Sequence, residues 1–394
     1  MTQTDTIPRS DVDLFSAEVM ADPYPLYRQL RDAGPVVYLD RFDVWAVTRY
    51  AEARHVLADW QSFSSADIAL NEQFNSYVGD GIIRSNPPLH DQQRDVLASR
   101  LSPRAVREIQ PEIDARATDV VAALVERGSF DAVSDLARPF PLEVVADLIG
   151  LPRQGRERLL ELVDANFNCF GPDNDRTRES GPKLAELAQY VMANATKETL
   201  AENSMGAAVY EAVDAGWVPA DAAPWLVMTY VTAGIDTTVH AVGHMIWLFA
   251  QHRDQWEELR AEPALIPGAF REVLRYESPV QLFGRTATNE WTVGDVTVPA
   301  GSRLAVLFGC ANRDERKWEQ ADRFDVRRNN IDQLAFGYGL HACAGQALAR
   351  IEGEAILRAL INTVSDIEAG DAVRHYNNVL RGLESLPVKV IKAQ

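Results

Sequence analysis

The sequence predicts a mainly α-helical fold with small β sheets, and three observations carry that prediction. The chain has 394 residues, 46% hydrophobic and 24% charged, which is enough apolar surface for a large core and excludes a disordered or collagen-like chain. Helical patterning punctuated by prolines runs through most of it, whereas strand-like stretches are short and far apart in sequence. No internal repeat, low-complexity tract or linker divides it, so residues 1–20 read as an N-terminal tail and 21–394 as one domain.

Taken in order, Val36 to Thr48 alternates as a β hairpin. Pro87-Pro88 leads into a helical region from Leu89, and Pro103, Pro139, Pro141 and Pro152 punctuate successive helices. Ala222 to Ala250 is apolar over a length that, as a helix at 1.5 Å per residue, reaches roughly 40 Å. Asp236, His240 and His244 interrupt it, which favours a buried central helix over a membrane span. Trp291 to Phe308 reads as strands joined at Gly294-Asp295 and Pro299 to Gly301.

Acidic side chains outnumber basic ones by 57 to 39, and a net charge of -18 disfavours nucleic acid or an anionic membrane as partner. A small molecule or a protein is expected instead. Cys169, Cys310 and Cys343 are too few for a disulfide scaffold and point to a reducing compartment. The first ten residues hold Asp5, Pro8 and Arg9 and no apolar run, so neither signal peptide nor anchor is expected and the cytoplasm is the expected location.

The most informative stretch is Phe336-Gly337-Tyr338-Gly339-Leu340-His341-Ala342-Cys343-Ala344-Gly345, ahead of a helical run with Leu348, Ala349, Arg350 and Glu354. Three glycines in ten residues describe a loop whose backbone must approach something closely, ending at a helix N-terminus. There the N–H groups and the helix dipole favour a thiolate, the state that binds metal.

This stretch resembles the haem-binding loop of cytochrome P450 enzymes and matches Phe-Gly-x-Gly-x-His-x-Cys-x-Gly at every fixed position. The resemblance extends from Asp22-Pro23-Tyr24-Pro25 to the C-terminal segment 380–389. It implies the P450 fold, with haem between a long distal helix and a proximal cysteine loop, and Cys343 as the axial ligand of the iron of haem b. It also implies a monomeric monooxygenase that uses O2, with electrons drawn ultimately from NAD(P)H through a ferredoxin reductase and an iron-sulfur ferredoxin. Cys169 and Cys310 have no such surroundings and read as core or loop residues.

Other positions take roles from the same resemblance. Glu272 and Arg275, at i and i+3, with Arg328 after Phe324-Asp325, match a structural ion cluster holding the loop. His90, Arg94, Arg285 and His341 match the groups that receive the haem propionates. Ala233-Gly234-Ile235-Asp236-Thr237-Thr238 puts a glycine and two threonines inside a helix, where threonine can bond back to preceding carbonyls and widen it. The family's distal helix carries an acid-alcohol pair at this place, which makes Asp236 the proton relay and Thr237 its alcohol. His240 and His244, at i and i+4, could grip zinc, but Ala241 stands where a zinc protease needs glutamate, and a hydrolase is rejected. Arg100 and Arg104 are the expected ferredoxin contacts.

Within the family the segments 31–39 and 277–281 and the tail are similar to soluble bacterial enzymes that oxidise para-substituted benzoates. Met228 and Thr229 stand where those members place arginine and serine for the carboxylate, so a neutral para-substituted or methoxylated aromatic is expected, hydroxylated or O-demethylated. Ile83, Phe167, Phe170, Thr229, Ala233, Val280 and Phe283 would form a flat apolar slot, with Thr229, Tyr77 or Tyr230 offering hydroxyls. The alternatives are an aromatic acid, a larger natural product, or a non-catalytic haem-thiolate sensor; a sensor needs no proton relay, and Asp236-Thr237 argues against it.

Overall fold

The computed structural model describes residues 7–77 and 81–393. Helix ends follow from local chemistry. Ser102 and Asn174 accept the N–H groups of Ala105 and Thr177 ahead of helices Pro103–Arg127 and Asp175–Asn194. Gly128 and Gly150, both left-handed, close Pro103–Arg127 and Pro139–Ile149. Helix Pro103–Arg127 lies along Gln346–Thr363, the helix that follows the cysteine loop. The main core gathers around a central helix pair that contributes Val227, Val231, Val242 and Met245.

That pair replaces the single helix expected over 222–250. The chain forms Ala223–Gly234 and Asp236–Gln251, interrupted at Ile235 with φ -91° and ψ -69°. Among the described residues no helix is long and apolar enough to cross a membrane.

The hairpin at 36–48 forms as expected, Val36–Leu39 antiparallel to Val44–Val47. It belongs to a six-stranded sheet ordered Arg9–Ser10, Val36–Leu39, Val44–Val47, Arg303–Leu307, Leu282–Ala287, Phe63–Ser64. Two expectations need correction here. Residues 9–20 are not a tail: Arg9–Ser10 pairs with Tyr38–Leu39, and Leu14 and Phe15 are buried against Tyr27 and Leu30. The strands of 291–308 also part company, because Trp291–Val293 and Val296–Val298 make their own hairpin while Arg303–Leu307 joins the large sheet. The C-terminal strands were not expected at all. Val364–Ala369 and Pro387–Lys392 form a sheet with Ser129–Asp131, and Val373–Tyr376 pairs with Arg381–Ser385 on the central helix pair.

Candidate active site

The cysteine loop owes its shape to its glycines. Gly337 and Gly339 take φ +67° and +72°, and a side chain on Gly339 would collide with the carbonyl of Leu57. The loop closes through the Cys343 N–H donating to the Phe336 carbonyl at 2.8 Å. Helix Gln346–Thr363 starts just beyond, so the N–H groups of Gly345 and Gln346 face the Cys343 sulfur. Cys343 is solvent-accessible, yet enough protein surrounds it that burial pushes its thiol up against the pull of those N–H groups and Arg94. Accessible and hemmed in together describe a group lining a recess.

A chain of bonds leads from a buried ion pair to this loop. Arg275 meets both Glu272 oxygens at 2.8 Å, each residue fully buried, and donates to the Asn312 and Ala321 carbonyls at 2.8 Å. Asn312 accepts the Leu334 N–H on its side chain at 2.7 Å, and the Leu334 carbonyl accepts the Gly337 N–H at 2.9 Å. Arg328 reaches Glu272 at 3.1 Å, so the three residues read together from the sequence do meet. Asn312 and Asn330, which extend the cluster, were missed, because nothing in their local sequence marks them.

His90, Arg94, Arg285 and His341 are also brought together. The His90 and His341 rings stand edge to face with centroids 4.8 Å apart. Burial first, then Arg285, His90 and Arg94, hold His341 down at about 3. Arg285 is buried and hydrogen-bonds the Gly284 carbonyl, and burial alone pushes it down to about 10. Arg94 donates to the Ala342 carbonyl at 2.8 Å. Among the described residues no carboxylate pairs with Arg94, Arg285 or His341, and the buried Nε2 of His90 has no partner.

On the central helix pair, Thr229, Ala233 and Thr237 succeed one another at i+4 and are accessible or half-buried, while Val231, Ile235 and Val239 are buried. Thr229 bonds back to Trp225 O at 3.1 Å and Thr237 to Ala233 O at 3.0 Å, on either side of the break at Ile235. Asp236, the first residue after the break, is buried beside His240 at 3.5 Å, and burial followed by the charge of Asp164 pushes its carboxyl up to about 8. His240 and His244 do not converge on one point: His244 lies 3.2 Å from Arg374 and 3.7 Å from Glu277.

The aromatic slot centres on Phe170, whose ring lies 6.1 Å from Phe167 and 5.4 Å from Phe283. Phe74, 4.8 Å from Phe170, completes it and was missed, since a lone phenylalanine in a polar turn carries no sequence signal. Ile83 and Val280 are half-buried against the same core. Two of the expected hydroxyls are elsewhere: Tyr230 donates to the Leu97 carbonyl at 2.9 Å, and Tyr77 is exposed. Met228 is buried off the accessible stripe, leaving Thr229 on it.

Arg100 approaches Glu211 at 3.8 Å and Arg104 reaches Glu108 at 3.4 Å, so carboxylates partly neutralise both. Beneath the cysteine loop lies a separate recess of about 430 Å³ lined by Arg54, Arg271, Arg350, Phe336 and Tyr338. There Arg54 donates to the Tyr338 hydroxyl and Arg271 to Asn330, while Arg350 lies 3.6 Å from Glu354.

The family profile described as Cytochrome P450 matches residues 221–365. The chain is 39% identical to "Cytochrome p450 CYP199A2" of Rhodopseudomonas palustris over 98% of its own length and 95% of that protein. The chain belongs to the cytochrome P450 family. Mycobacterium marinum cytochrome P450 CYP268A2, solved with pseudoionone, superposes with a TM-score of 0.88 at 26% identity, covering 98% of this chain and 100% of that one. Cytochrome P450 CREJ, solved with (4-ethylphenyl) dihydrogen phosphate, gives 0.84 at 26%, covering 94% and 98%.

This P450 is therefore a monooxygenase-family oxidoreductase whose cofactor is haem b, supplied with electrons from NAD(P)H. The residues present fit that group. A thiol lines a recess at a helix N-terminus, and a cluster of cations and donors without an acid partner for Arg94, Arg285 or His341 suits a ligand that brings two carboxylates. An unpaired buried arginine such as Arg285 is costly unless an anion joins it.

Proposed function

We propose that this P450 inserts one oxygen atom of O2 into a small, neutral, para-substituted or methoxylated aromatic, by hydroxylation or oxidative O-demethylation. The observation that carries the reading is the make-up of the slot: Phe170 packs its ring near those of Phe167 and Phe283, Thr229, Ala233 and Thr237 form an accessible stripe on the central helices, and none of the seven slot residues is a cation. A buried aryl carboxylate would go uncompensated there, whereas a phenol needs one hydrogen bond, for which Thr229 Oγ1 keeps lone pairs free. The para-substituted arene bound to cytochrome P450 CREJ supports the shape of the substrate; its phosphate is the anionic alternative that the titration below tests.

In this reading Cys343 holds the iron, and His90, Arg94, Arg285 and His341 hold the propionates. Glu272, Arg275 and Arg328 fix the loop. Haem ligated by a thiolate supplies the cleavage of the O-O bond of dioxygen. Asp236, whose carboxyl burial pushes well above the usual range, holds the proton to be delivered, and Thr237, one residue on, stands on the accessible stripe to orient it. Electrons come from an acidic iron-sulfur ferredoxin. Arg54 and Arg271 at the recess below the loop, which pair with no carboxylate among the described residues, support that docking better than Arg100 and Arg104, whose charges are partly answered.

Spectral titration of the haem protein at one pH tests the substrate class. A neutral 4-methoxyphenol should bind at least about tenfold tighter than 4-methoxybenzoate, since an unpaired buried carboxylate costs more than 1.4 kcal/mol. Thr229→Val should weaken the phenol by about two- to tenfold, the worth of one hydrogen bond. Tighter binding of the benzoate would overturn the reading and favour aromatic acids.

A further inference from the structure

The strand Val373–Tyr376 brings a second histidine to the helix break. His375 stands directly across the ladder from Gly382, and that glycine leaves a notch: a side chain there would collide with the imidazole of His240. His240 fills the notch and stacks on His375 with centroids 5.1 Å apart and planes at 25°. Its other side approaches Asp236, Nε2 to Oδ1 at 3.5 Å.

Both nitrogens of His375 face carboxylates, Nε2 to Asp164 at 2.7 Å and Nδ1 to Glu384 at 3.0 Å, so both carry protons and the ring is a cation. The clamp is itself braced. Asp164 accepts from Asn377 at 2.7 Å and from Asn168 at 3.2 Å, and Glu384 accepts from Arg138 at 2.7 Å. Glu384 is 46% accessible, His375 17%, His240 4% and Asp236 7%, so the cluster runs from solvent inward to the break. At its inner end both ring nitrogens of His240 and Oδ2 of Asp236 are buried without a hydrogen-bond partner.

We propose that His375 is a positioning residue for proton delivery: its clamped positive charge keeps the stacked His240 uncharged, so that His240 does not lock Asp236 as a carboxylate in an ion pair and Asp236 keeps the proton it delivers. The inference rests on the reading of Asp236 as the proton relay. A charged His240 beside an ionised Asp236 would be a dead end, because the carboxylate would have no proton to give and a cation to keep it so. Two like charges stacked at 5.1 Å in a dry site repel strongly, and His375, held by two acids, keeps the charge. The shifts of the two histidines agree in direction, while on Asp236 the His375 charge pulls down against the larger push of burial. Burial works against charge on His375, but Asp164 and Glu384 outweigh it and raise the ring to about 10. Burial, then His375, His244 and Arg138, push His240 down. The titratable and charged groups facing the pair are thus Asp164, His375, Arg138 and Glu384 from neighbouring elements and His244, itself pushed down by burial, on the same helix.

The test compares wild type with His375→Gln, His375→Arg, Glu384→Gln and Asp236→Asn as haem-loaded proteins. Coupling of NAD(P)H to product is measured against pH, and ring resonances of His240 are followed by NMR in the diamagnetic reduced, carbon monoxide-bound form. Removing the cation should move the alkaline limb of coupling at least one pH unit to acid, cut coupled turnover at pH 7 about tenfold, and give a His240 ring that protonates near neutrality. Arginine at 375 should restore the limb, and the half-exposed Glu384→Gln should move it the same way by less. If Asp236→Asn leaves coupling unchanged, the relay reading fails and this inference with it. If Asp236→Asn uncouples while His375→Gln keeps the wild-type limb and a neutral His240, only the role of His375 fails. Equal losses in the glutamine and arginine variants with an unmoved His240 signal would likewise overturn it in favour of a structural role.

Discussion

Glu272→Gln isolates the ion cluster behind the cysteine loop with almost no change of shape. Arg275 would remain fully buried with its carbonyl partners Asn312, Ala321 and Arg323 but without an anion. Breaking a buried pair by neutralising one member costs about 3 to 5 kcal/mol, a large share of the roughly 5 to 15 kcal/mol that holds a typical protein folded. At 1.4 kcal/mol per decade this is about a hundred- to four-thousandfold in the folding equilibrium. The same change loosens the path from Arg275 through Asn312 and Leu334 to Gly337, so the loop should lose definition before the chain unfolds. Urea unfolding of the haem-loaded protein gives the first quantity, and the share of the reduced carbon monoxide spectrum in the thiolate form gives the second. Arg328→Gln is the control: it removes a 3.1 Å contact to Glu272 and bonds to the Glu319, Gln320 and Arg323 carbonyls but leaves the Glu272–Arg275 pair intact, and it should cost clearly less. A Glu272→Gln protein within about 1 kcal/mol of wild type, with an unchanged spectrum, would show that the cluster does not hold the loop.

Cys343→Ser should abolish the long-wavelength Soret band of the reduced carbon monoxide complex, and its survival would remove Cys343 as ligand. Thr237→Ala should bind haem and substrate normally but divert NAD(P)H to hydrogen peroxide, measured as peroxide formed per NAD(P)H; full coupling would refute the assignment. Glu277 sits 2.6 Å from Arg381 and 3.3 Å from Arg313; burial opposes its charge, but Arg381, His244 and Arg313 hold it down at about 2. Its folded pKa lies below the usual value, so its contribution is complete above about pH 4.5 and is lost as pH falls toward 2, about 3 kcal/mol in all. Glu277→Gln should therefore flatten the acid limb of an unfolding curve over that window, and an unaltered slope would contradict the pairing.

The cysteine loop was legible because its glycines answer a steric demand that leaves a fixed spacing in the chain, at Gly337 and Gly339 above all. The helix break was legible for a related reason: glycine and two threonines defy helix propensity at Gly234, Thr237 and Thr238. The His375 cluster was not. Its members come from Asp164, His240, His375 and Glu384, more than one hundred residues apart between the outer segments, and Val-Arg-His-Tyr has no alternation to mark it as a strand. Hydroxyl directions were illegible too: periodicity puts Tyr230 on the right helix, but only packing turns its hydroxyl to Leu97. Arg9–Ser10 was read as a tail because a two-residue strand is too short for any pattern.

The large sheet has a consequence for biosynthesis. Val44–Val47 takes Arg303–Leu307 as its parallel neighbour there, and in the three-stranded sheet Ser129–Asp131 takes Pro387–Lys392 as its antiparallel one. At roughly 5 to 20 residues per second, the ribosome needs roughly 15 to 50 s to supply the partner of the first strand once that strand has emerged. Through that interval the early hairpin shows an unpaired edge, a template for pairing with another nascent chain. The strand at Ser129–Asp131 waits for a partner more than 250 residues further along the chain. Commitment to the native topology therefore falls after the helical body has been made, and loss of strand Pro387–Lys392 would leave that body with its seam open.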